Sequence, residues 1–131
     1  MTIPPDIRTK LDEAVSAAQS VVKYGDKSAV TVMRSTVKMC RAWVADPNNT
    51  DIGFAIKHKI RLLKIVSWGG TAQWSATMAV EYLLRAVEDT WQICRFKETD
   101  CTNRASIDLN LSCLHRDVKT AIERAEVEYP Q

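Results

Sequence analysis

Apolar residues recur along the chain at steps of three and four, the period of one helical face, and turn-forming residues divide them into five stretches. Pro4-Pro5 followed by Asp6 opens the first stretch, because proline fits a helix's first turn and an early acid suits its dipole. Ile7, Leu11, Ala14, Ala18, Val21 and Val22 form its stripe, and Gly25 is its expected end. Asp26 or Ser28 caps the second helix. Val30, Met33, Val37, Cys40 and Val44 then make a heptad-like seam with Trp43 alongside, until Asp46-Pro47-Asn48-Asn49 stops it.

The third stretch is unusual. Thr50 or Asp51 caps it, and Ile52, Phe54, Ala55, Ile56, Ile60, Leu62, Leu63, Ile65 and Val66 follow before Gly69-Gly70. At about 100° per residue these cover well over half of the helix circumference. A helix so apolar is either central to the fold or covered by a partner. His58 and Lys59 point by phase into this apolar arc, and a buried ammonium needs an acid such as Glu88 or an outlet to a partner surface.

Thr71 caps a fourth and longest helix reaching about Phe96. Its inner stripe is Ala76, Ala79, Val80, Leu83, Val87, Trp91 and Cys94, and its wet face is Glu81, Arg85, Glu88, Asp89, Gln92 and Arg95. Lys97–Asn103 reads as a loop. The fifth helix runs from about Arg104 to Glu126 on Ile107, Leu111, Leu114, Val118, Ala121 and Ala125. No alternating run suggests a strand. The expected fold is all-α: residues 1–131 as one single-domain antiparallel bundle of four to five helices.

Composition narrows the picture little. With 46% hydrophobic and 26% charged residues the chain is too apolar for disorder, and 18 Lys and Arg against 16 Asp and Glu leave only +2. The N-terminus lacks the pattern of a secretory signal, and no apolar run approaches the roughly 18 residues of a membrane span. The expectation is a cytoplasmic protein with no membrane partner. Cys94, Cys101, Cys113 and His115 supply zinc-ligand types without the close pairing of structural zinc sites. Free thiols are therefore expected. In an oxidising compartment, Cys101 is the residue to bridge to Cys94 or Cys113. The two histidines, His58 and His115, fit no nucleophile or metalloprotease motif, and Gly69-Gly70 lacks the lysine of a phosphate loop. No catalytic residue, metal or cofactor is assigned, and the chain is expected not to be an enzyme.

Charge distribution says more than the total. From Lys27 to Lys64 there are eight basic residues against Asp46 and Asp51, so the rest of the chain is net acidic. Arg34, Lys38 and Arg41 fall on one flank of the second helix; Lys57, Arg61 and Lys64 form a strip on the third. Together they are candidates for binding a phosphate backbone or an acidic protein surface. Trp68 extends the strip, while Trp74 and Met78 fall by phase on the polar side of the fourth helix. Trp68, Trp74 and Met78 are candidates for anchoring a protein partner.

The stretch Trp68-Gly69-Gly70-Thr71-Ala72-Gln73-Trp74 resembles the turn-and-helix of small helical subunits of RNA-guided effector complexes. Cys40-Arg41-Ala42-Trp43-Val44-Ala45-Asp46-Pro47 is similar to part of small helical bacterial immunity-type proteins. Each likeness covers less than a quarter of the chain, and neither assigns a site. The expected function is macromolecular interaction, with a protein partner or as a homo-oligomer. The alternative is a nucleic-acid-binding or nucleic-acid-associated assembly subunit using the basic strips.

Overall fold

A computed structural model describes residues 2–66, 68–96 and 100–130, and it holds five helices: α1 Pro5–Gln19, α2 Lys27–Ala45, α3 Gly53–Ile65, α4 Ala72–Arg95 and α5 Asp100–Glu128. No strand occurs among the described residues. Two capping side chains stand where the sequence puts them. Asp26 Oδ1 accepts the Ala29 N–H at 2.8 Å, and Thr71 Oγ1 accepts the Trp74 N–H at 3.1 Å. Each satisfies an amide that the first helical turn leaves without a partner.

Other boundaries differ. The first helix ends at Gln19, six residues before Gly25, because the Ser20 N–H closes it onto Ser16 and Ala17 and the chain turns. Val21 and Val22 remain buried from within that turn. The third helix starts after Ile52, not at Thr50 or Asp51; the Asp51 carboxylate instead accepts the Gly53 N–H at 2.8 Å, the local turn that aspartate favours. Residues 97–99 of the expected Lys97–Asn103 loop lie outside the described residues, and the rest of it is helical. There α5 is anchored by Arg104 to Asp6 at 3.0 Å, and by Ser106 and Asn110 donating to Asp89 at 2.6 and 2.9 Å. At the other end, Glu128 accepts the Ala72 N–H at 2.7 Å, which carries α5 beyond Glu126.

Cross-links between helices give their directions. The start of α4 meets the end of α5 through Ala72–Glu128, and the end of α4 meets the start of α5 through Asp89, so the two are antiparallel. Arg8 reaches the Ala45 carbonyl at 3.5 Å, pairing the start of α1 with the end of α2. On α1 and α5, Asp6–Arg104 and Lys10–Asp108, both 3.0 Å, advance together, so those helices are parallel. The pairs α1–α2 and α4–α5 are thus each antiparallel, packed around one core.

The central helix is α4, which packs against all four others and buries 13 of its 24 residues. This corrects most of the expected wet face, of which Arg95 alone is exposed and Arg85 partly so. Glu81 is fully buried, its carboxylate 3.5 Å from Arg85, and Glu88, Asp89 and Gln92 are half-buried. Ala72, Ala76, Ala79 and Ala86 explain why: short side chains let neighbouring helices close over every side. By contrast α3 buries only Ala55 and Leu62 and packs on α2 and α4 at the edge. Its excess of apolar residues is not spent on a central position.

Candidate interaction face on the third helix

Two apolar faces coexist on α3. Ala55 and Leu62 point into the core, and at about 100° per residue Ile56, Ile60 and Leu63 lie roughly a third of a turn away. These three are 51%, 52% and 51% exposed, so half of each large aliphatic side chain stands in water. Their spacing of four and three makes one continuous ridge. The signal was present in the sequence as the width of the apolar arc, but the arc did not say which part faced inward.

Lys59 marks the border between the faces. Its ammonium is 3.6 Å from Glu88 Oε2 on α4, the first of the two outcomes the sequence left open, with about a quarter of each side chain exposed. His58 sits on the opposite border, its Nδ1 2.8 Å from the Phe54 carbonyl and its Nε2 3.4 Å from Ser35 Oγ on α2. Beneath α3, Glu88 Oε1 and Trp43 Nε1 are buried without hydrogen-bond partners among the described residues. Burial, helped by the Glu88 charge, pushes the Cys40 thiol up to about 12, so it behaves as a small apolar side chain.

All six basic candidates are exposed. Ser35 and His58 mark the α2–α3 seam. Lys38 on α2 and Arg61 on α3 each lie about 60° from their seam residue, with Arg34, Arg41, Lys57 and Lys64 farther round on the outward side. The two strips therefore flank one seam. Among the described residues none of the six is in an ion pair, and Lys57 rests over the Phe54 ring at 5.6 Å.

The three candidate anchors have different surroundings. Trp68 is 71% exposed at the corner between α3 and α4. At the same corner Gly70 has φ +89°, a conformation that suits glycine. Trp74 is half-buried, with the Arg124 guanidinium of α5 5.9 Å from its ring, and Arg124 is itself fixed by a 2.6 Å bond to Ser75 Oγ. Met78 is half-buried as well. Of the three, Trp68 alone offers a largely bare side chain.

The cysteines are all free. Cys101 and Cys113 stand twelve residues apart on α5, about 18 Å along its axis, which no disulfide spans. The described residues gather no group of three His, Cys, Asp or Glu for a metal, and no described helix is long and apolar enough to cross a membrane.

No protein-family model, curated protein or solved structure matches the chain.

Proposed function

We propose that this bundle works without catalysis, as an interaction module that docks a protein on the outward face of α3. The supporting observation is the ridge of Ile56, Ile60 and Leu63, each half exposed on a helix that the described residues cover on one side only. Leaving three large aliphatic side chains side by side in water forgoes the stabilisation that burial provides, roughly 25 cal/mol per Å² of apolar surface. Contiguous apolar surface rimmed by charge is the usual character of a binding site. Trp68, beyond the end of the same helix, adds the residue type most often found at the energetic centre of interfaces.

The six exposed cations beside the α2–α3 seam favour a second reading, a subunit associated with nucleic acid. It leaves the ridge without a role, because phosphates offer nothing to aliphatic side chains, and it ranks below the first.

Isolation of the tagged protein from its source, with and without the paired substitutions Ile60→Asp and Leu63→Asp, tests the leading reading. We expect a defined protein to accompany the unsubstituted chain and to be lost from the variant, whose melting temperature stays within a few degrees. An unchanged set of accompanying proteins contradicts it.

A further inference from the structure

The flanks of the ridge carry information about what covers it. We infer that the occupant is an amphipathic helix of a protein partner, with an apolar stripe against Ile56, Ile60 and Leu63 and acidic residues along one side. This rests on the docking role proposed above and adds the chemistry of the partner.

Spacing gives the shape. Steps of four and three at 56, 60 and 63 are the seam of a heptad, the pattern that receives another helix. The ridge spans about 10 Å, so an incoming helix of two to three turns covers it. In that register Lys57 and Lys64 occupy one flank of the seam, backed by Arg61, and Lys59 occupies the other. The flanks are electrostatically unequal. Lys59 is already matched by Glu88 of its own chain, whereas Lys57, Arg61 and Lys64 are in no ion pair among the described residues. No acid occurs anywhere in α3. Flanking charges of this kind set partner choice and orientation, so acids are called for on one side of the incoming helix only.

The same inequality disfavours a second copy of this chain on the ridge. Antiparallel pairing of two α3 helices sets Lys57 and Lys64 against their own counterparts. Parallel pairing sets them against the flank of Lys59, where Glu88 is already engaged. Nucleic acid fits poorly too, because bases stack on aromatic planes and Ile56, Ile60 and Leu63 provide none.

The test uses the whole protein and two synthetic labelled helices of about three heptads. Both carry leucine along one stripe; glutamate lines the flank of one, and lysine lines the flank of the other. Fluorescence anisotropy is expected to show the glutamate helix binding roughly tenfold or more tighter, with the advantage shrinking as salt rises. Ile60→Asp is expected to abolish binding, and Lys57→Glu with Lys64→Glu to reverse the preference. Equal binding of both helices, with sensitivity to Ile60→Asp, refutes the acidic partner and leaves the docking role standing. Binding of neither helix overturns both. Self-association that Ile60→Asp dissolves places a second copy on the ridge. Tight binding of duplex nucleic acid, lost with Lys57→Glu and Lys64→Glu but kept with Ile60→Asp, assigns the cations to phosphate. Either result overturns the inference.

Discussion

Leu62→Ala is expected to lower the unfolding free energy by about 2–5 kcal/mol, while Ile60→Ala, two residues earlier, is expected to lower it by about 1 kcal/mol or less. The two residues are of nearly equal size and lie on one helix, and the helix propensities of Leu and Ile differ by only about 0.2–0.4 kcal/mol, too little to separate them. Burial does. Leu62 is 0% exposed in the core cluster, and its truncation opens a cavity beneath α3 where that helix has few other anchors. Ile60 is half exposed, so about half of the surface its removal sheds was already wet and no enclosed cavity is left. Chemical denaturation followed by circular dichroism measures both. Equal losses at the two positions would mean that the ridge packs against its own chain and has no vacancy for a partner.

Trp43→Ala is expected to cost about 3–5 kcal/mol, and Trp43→Phe much less, about 1 kcal/mol or under. The indole is 1% exposed and ranks first by volume among the fully buried side chains, so alanine leaves a large void between α2 and α3. Its Nε1–H is buried without an acceptor among the described residues, a condition that costs about 1–3 kcal/mol in itself. Phenylalanine gives up part of the packing and also removes that unsatisfied donor, so the two changes offset. The same denaturation series measures the pair. A Trp43→Phe variant as unstable as Trp43→Ala would show that the indole N–H has a partner after all.

Much of the fold was legible because helix signals are local. Asp26 and Thr71 act on amides three residues ahead, and Pro47 and the double glycine interrupt a period that any reader of the chain can count. What escaped was set by contacts from afar. Asp100–Asn103 looks like a loop until Arg104 finds Asp6 and Ser106 finds Asp89 across the bundle. Glu81 looks solvated until the alanines of α4 let every neighbour close in. The site was half legible in the same sense. The cations of α3 and the width of its apolar arc are sequence properties. Which part of that arc meets the core depends on where α2 and α4 stand, and so the ridge at 56, 60 and 63 emerges only when the helices are packed. Trp74 shows the converse, since its phase suggested exposure and Arg124 of α5 lies over its ring.

The central claim is that the outward face of α3 is occupied by another protein when the chain is at work. A photoreactive residue introduced in turn at positions 56, 60 and 63, and for comparison at exposed positions 12 on α1 and 123 on α5, tests it in the protein's own source. The account predicts one discrete protein adduct common to 56, 60 and 63 and absent from 12 and 123. The same faint adducts at all five positions, or none at the three on α3, would contradict it.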